Sequence, residues 1–213
     1  MSDGMLRSVQ TSPDLKLGVG SRHNVNRVGE QNDQMVSQLH GALYEQTARG
    51  NTFGAASQAA TTTTIALATT YTGLCLSNPA GNSKNLILRQ VGYGLSVSPG
   101  AVGFVGLGGG YSAAGIAVHT TPLVPYTQNL GGSNVPTALA DGAATLVAGA
   151  GQGLLRIISI FASYDDDAAV APMGPALIDM QGGVVIQPGG FVFVYTLTVV
   201  VGAFSFSWEE VPR

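Results

Sequence analysis

The chain reads as all-β, a jelly-roll-like sandwich or barrel preceded by an extended N-terminal arm. Three observations predict this. Apolar runs are cut by turn signals roughly every ten residues from Asn51 onward, the pattern of a sandwich or jelly roll. Only 10% of the 213 residues are charged, and 30 are glycine, which suits tight turns and surfaces held against other protein. Finally, Phe191 to Trp208 (FVFVYTLTVVVGAFSFSW) carries no charge and is mostly β-branched or aromatic.

A run that long is first tested as a membrane span, which needs roughly 20 apolar residues. Thr196, Thr198, Ser205 and Ser207 interrupt it, and Gly202 breaks it. Phe204 to Trp208 alternates with period two, and no Lys/Arg cluster flanks the run. One or two strands closing the sandwich are expected.

Ten of the charged side chains, five of each sign, fall in residues 1–50, and the first thirty show no sustained period. Residues 1–57 are therefore read as an arm and residues 58–213 as the β domain. Gln31 to Arg49 is either a short helix, with Asn32 or Asp33 as cap and Gly50 as stop, or an irregular stretch. Thr61 to Ala68 and Tyr71 to Ser77 read as strands. Asn78-Pro79-Ala80-Gly81-Asn82-Ser83 is a dense turn signal. Asn85 to Val97 follows as a long strand with Leu86, Leu88 and Val91 on one face. Pro99-Gly100 turns the chain into a strand from Val102 to Leu107, and Gly108-Gly109-Gly110 reads as a turn. Tyr111 to His119 is a further strand, Thr120 to Asp141 is loop-rich, and Leu154 to Tyr164 is a strongly hydrophobic strand. A polar loop, Asp165 to Pro175, precedes a strand from Ala176 to Met180. No internal repeat is found.

The net charge of −3 argues against nucleic acid or an anionic membrane as partner. A single cysteine, Cys75, allows no intrachain disulfide and sits in an apolar run as a small buried thiol. MSDGMLRSVQTSPDLK shows no apolar core of a secretory signal, so synthesis in the cytoplasm is expected. His23, His40 and His119 lack metal-ligand spacing. Asp165-Asp166-Asp167 lacks the spaced ligands and bend glycine of a calcium loop. The glycines at 106–110 and 149–153 complete no phosphate-binding motif, and no G-x-S-x-G elbow occurs. Trp208, Tyr93, Phe104, Phe161, Phe191 and Phe193 suit a core or a subunit interface better than a sugar-binding face. The expectation is a protein without catalytic, cofactor or metal site.

Three segments carry a resemblance. Leu74 to Leu88 (LCLSNPAGNSKNLIL), Val184 to Gly190 (VVIQPGG) and Trp208 to Pro212 (WEEVP) together resemble a group of tailed-bacteriophage virion proteins built on capsid-bound β-barrels. The resemblance spans residues 74–212 as short turn-type motifs. It implies a jelly-roll-like fold, a trimer, and a decoration or cement role on the outer head surface, within the virion. The arm would then contact the major capsid protein or another virion protein. Residues 1–57 depart from the simplest members and leave a neck or tail location open. The alternative is a tail, neck or head-fibre appendage binding a host receptor or glycan through the 120–141 loop and exposed aromatics.

Overall fold

In the computed structural model, residues 43–65, 67–97, 99–147, 151–161 and 176–213 are described. The expectations for residues 1–42, including His23 and His40, and for Asp165 to Pro175 lie outside them.

Two antiparallel sheets face each other across one core. The first contains β1 (Thr52–Ala56), β2 (Thr61–Thr62), β4 (Lys84–Leu95), β7 (Tyr126–Thr127), β10 (Ala176–Ile186) and β12 (Val201–Pro212). Its order is β10-β4-β12-β1-β7, with β2 pairing the start of β12. The second contains β3 (Thr70–Ser77), β5 (Gly103–Tyr111), β6 (Val118–Leu123), β8 (Leu139–Thr145), β9 (Gln152–Phe161) and β11 (Gly190–Thr196), in the order β6-β8-β3-β11-β5-β9. The all-β sandwich is thus observed, and every strand lies within one compact unit, Glu45–Arg213.

The uncharged run splits between the sheets. Its first half, β11, is the fourth strand of the second sheet and is buried at consecutive positions from Gly190 to Val194, so apolar residues are needed on both faces. Its second half, in β12, alternates: Phe204, Phe206 and Trp208 enter the core while Ala203, Ser205 and Ser207 face outward. Among the described residues no helix is long and apolar enough to cross a membrane.

Leu86, Leu88 and Val91 are all fully buried in the central core although their spacing breaks period two. A bulge explains it: Ser207 pairs with Gln90 and Trp208 with Leu88, leaving Arg89 extra. The extra residue flips the phase of β4, so Val91, Tyr93 and Leu95 continue the inward face.

Several expectations are corrected. Gly108-Gly109-Gly110 is not a turn but the interior of β5, paired with β11 on one side and β9 on the other. Gly108 lies opposite Phe193 and Gly110 opposite Phe191. A Cβ on Gly110 would strike the Gly151 carbonyl first and stand 2.6 Å from Phe191 Cζ, and one on Gly108 would strike the Phe193 ring. The glycines leave room for two rings that lie over the strand, stacked 6.2 Å apart, with Tyr71 edge-on to Phe193 at 5.1 Å. With Cys75, Ile116, Ala144 and Leu146 they form a second apolar cluster. Cys75 is fully buried there, and burial pushes its thiol well above the usual range.

Among the described residues, Thr61 to Ala68 yields only the two-residue β2 and an isolated bridge at Ile65. Threonine side chains take over backbone bonding there. Thr63 Oγ1 lies 2.7 Å from Thr196 Oγ1 and accepts from Val200 N–H, while Thr64 Oγ1 accepts from Thr72 N–H. Thr63→Val would strand the buried Thr196 hydroxyl and the Val200 N–H. A loss of about 2 kcal/mol is expected, read as a lower urea midpoint at unchanged slope.

The sheet also begins earlier than expected. β1 lies inside the stretch 1–57 read as arm, between β12 and β7. Its sequence, TFGAA, has one large apolar residue, too weak an alternation to mark a strand. Among the described residues, the helical alternative for Gln31 to Arg49 is realised as α1 (Tyr44–Ala48). Gly50, at φ 73°, ends it: its N–H donates to Thr47 O, and Asn51 N–H donates to Gln46 O. Tyr111 to His119 is mostly loop, Ser112 to Ala117, before β6. The loop-rich 120–141 stretch contains most of β6 and all of β7. Pro122 is tolerated because β6 is an edge strand.

Candidate interaction surfaces

The three segments that carry the resemblance meet in one polar network. Asn78 is fully buried, and its Nδ2 donates to Lys84 O and to Ile186 O, both at 2.9 Å. Its Oδ1 accepts from Asn82 Nδ2, its N–H donates to Gly190 O, and its carbonyl accepts from Gly189 N–H. Every polar group of the side chain is thereby used. Asn82 Nδ2 also donates to Thr137 Oγ1, which donates to Glu210 Oε2 at 2.7 Å. Lys84 Nζ donates to the same oxygen at 3.0 Å, while Thr137 and Ala138 N–H donate to Glu210 Oε1 at 2.7 and 3.0 Å.

The Glu210 side chain is inaccessible to solvent. Burial by itself pushes its carboxyl up. The donors from Thr137, Ala138 and Lys84 outweigh that and hold it below the usual carboxylate range. The Asn-Pro-Ala-Gly turn, the Pro-Gly segment and the Trp-Glu-Glu tail are therefore parts of one clasp tying β3, β4, β8, β10, β11 and β12. Its bonds are internally satisfied, which makes it structural.

His119 sits on β6, and its Nδ1 lies 2.7 Å from Asp141 Oδ2 on β8. The antiparallel register brings together residues 22 apart in sequence, a pairing without local signal. The Asp141 side chain is buried, and its Oδ1 has no partner. Burial raises its carboxyl pKa, and the hydrogen bond and charge of His119 offset only part of that. Among the described residues, no group of three His, Cys, Asp or Glu side chains is placed to hold a metal ion.

Two surfaces stand out. One is β9, the edge of the second sheet among the described residues. Leu154, Leu155 and Ile157 are 41, 53 and 54% exposed, and Ile160 is 70% exposed. Exposure of neighbouring positions means that both faces of the strand project beyond the core. Edge strands are ordinarily short, charged or covered. Over its ten residues, β9 carries one charged side chain, Arg156.

The other is the outer face of the first sheet. Register aligns Tyr126, Gly54, Ser207, Gln90 and the exposed Asp179 in one row across β7, β1, β12, β4 and β10, with Asp179 outside the groove lining. The next row runs Ala56, Ser205, Gly92, Leu177 across β1, β12, β4 and β10. Small residues thus form a floor between Tyr126 on one edge strand and Leu177 on the other, enclosing a groove of about 320 Å³. Of the six aromatics singled out in the sequence, Trp208, Tyr93, Phe161, Phe191 and Phe193 are buried, and Phe104 stacks on Tyr195 at 5.5 Å. Tyr126, 64% exposed, is the aromatic that reaches the groove.

A scan against protein-family models finds no match, and neither does a search of curated proteins or of solved structures.

Proposed function

We propose that the chain is a non-enzymatic structural subunit of a tailed-bacteriophage virion, of the capsid-decoration type. In this reading a jelly-roll-like sandwich associates as a trimer on the outer head surface. Residues 1–57, outside the short β1 they contain, reach the major capsid protein or another virion protein. The observation that carries the reading is the apolar edge strand β9. A chain with so little surface charge and four exposed aliphatic side chains on one edge strand has a surface suited to burial in an assembly. The all-β sandwich and the meeting of the three resembling segments in one clasp are in keeping with it. Joining three copies would also multiply weak contacts to a repeating particle surface.

The test is the solution mass by light scattering for the wild-type chain and for the double variant Leu155→Lys, Ile157→Lys. A trimer that the two lysines dissociate to a folded monomer is the expected result. A monomeric wild type would remove the assembly argument, and an unchanged trimer in the variant would remove β9 from the interface. Capsid binding is then compared between the full chain and one starting at Asn51. Retained sandwich structure with lost binding is expected, and undiminished binding by the shortened chain would refute the role given to the arm.

A further inference from the structure

The outer face of the first sheet does not have the composition of a solvated sheet face. Long polar side chains normally cover such positions, whereas here the outward residues of three adjoining strands are small apart from Gln90: Gly54 and Ala56, Ser205 and Ser207, and Gly92 beneath Ser205 and Leu177. The polar groups that do line the groove are neutral. They are the carboxamides of Gln58, Gln90 and Gln128 and the two serine hydroxyls, with no charged side chain among the lining. Gln128 Nε2 donates to Ser207 Oγ at 2.8 Å, which fixes one amide against the floor. Gln90 makes no side-chain hydrogen bond among the described residues and lines the groove. Tyr126 supplies an exposed ring at one end, and the Leu177 side chain forms the opposite wall.

We propose that this groove binds a neutral carbohydrate. Carboxamides pair a donor and an acceptor on one planar group, which matches the adjacent hydroxyls of a sugar. A tyrosine face covers the apolar C–H side of a sugar ring while its hydroxyl stays solvated. The absence of charged lining disfavours phosphate, sulfate or carboxylate ligands, which take their affinity from Arg, Lys or helix N-termini. The floor of Gly, Ala and Ser lets the ligand approach the sheet closely. Four strands at the usual spacing give a run of roughly 14 Å from Tyr126 to Gln90, and the same from Ala56 to Leu177, the scale of a short oligosaccharide. A groove of this volume lies at the small end of ordinary ligand sites.

The experiment applies the full chain to a printed array of neutral and anionic oligosaccharides. The best neutral binder is then titrated by NMR while the glutamine side-chain amides are followed. Binding to neutral glycans is expected, with movement of the Gln90 and Gln128 signals. Tyr126→Ala and Gln90→Ala should each weaken it about tenfold, while Tyr111→Ala, an exposed tyrosine away from the groove, should not. Four results would each overturn the proposal. They are retention of anionic glycans only; unmoved amide signals at millimolar neutral sugar; full binding by both groove variants; and a fall in solution mass on Tyr126→Ala, which would make this face a contact between copies. Since β9 lies in the other sheet, loss of the glycan result leaves the assembly reading untouched, and the reverse also holds.

Discussion

Replacing Glu210 with alanine is expected to cost about 3 kcal/mol, since it strands several buried donors at about 1–3 kcal/mol each. The carboxylate takes bonds from Lys84 Nζ, Thr137 Oγ1 and two backbone N–H groups, and its side chain is closed to solvent. Removal would leave those four donors, and Trp208 Nε1 at 3.5 Å, facing a void between β4, β12 and the segment entering β8. Urea denaturation measures the loss, and a cost under about 1 kcal/mol would show that the clasp holds nothing together.

Glu210→Gln tests the charge separately. The folded-state carboxyl titrates below its ordinary 4.5, so its contribution is fully present above that value and is lost as pH falls through the folded pKa. The glutamine variant should therefore flatten the stability profile below about pH 4.5. Asp141 acts in the opposite sense. Its folded pKa is raised above the ordinary 3.8, so it penalises the fold at higher pH, and the penalty fades as pH falls toward 3.8. Asp141→Asn removes that term, and an acid limb identical in both variants and wild type would contradict both assignments.

Gly108→Val is expected to destabilise by about 3 kcal/mol, the upper end for overpacking. β5 pairs with strands on both sides and Phe193 lies across Gly108, so neither backbone nor ring has room to yield. Phe193→Ala removes the obstructing ring at its own cost in packing against Tyr71 and Phe191. If the clash is the cause, the double variant will be more stable than the sum of the two single costs requires. Strict additivity would place the cost of the valine elsewhere.

Legibility in the sequence followed locality. The Asn78 to Ser83 turn, the strands beside it and the alternation from Phe204 to Trp208 were readable because Pro, Gly and period two act within a few residues. Gly108 to Gly110 misled, since a glycine that opens a turn and a glycine that admits a neighbour's ring are the same letter. Thr61 to Thr64 looked like a strand because threonine favours extended backbone, yet the Thr63 hydroxyl meets Thr196 across the fold and that of Thr64 meets Thr72 on the following strand. The groove left no trace in any single stretch. Its floor and walls come from β1, β4, β7, β10 and β12, and only register aligns Tyr126 with Gly54 and Leu177 with Gly92.

What the amino-acid order determined alone was the β class, the turns and which residues seek the interior, because these depend on backbone preference and transfer from water. Tertiary structure decided the rest. It sent the two halves of one uncharged run into different sheets, brought Lys84 to Glu210, and left the most aliphatic strand, β9, at an edge. Strand pairing joins residues more than a hundred positions apart, and no local preference encodes which neighbour a strand will find.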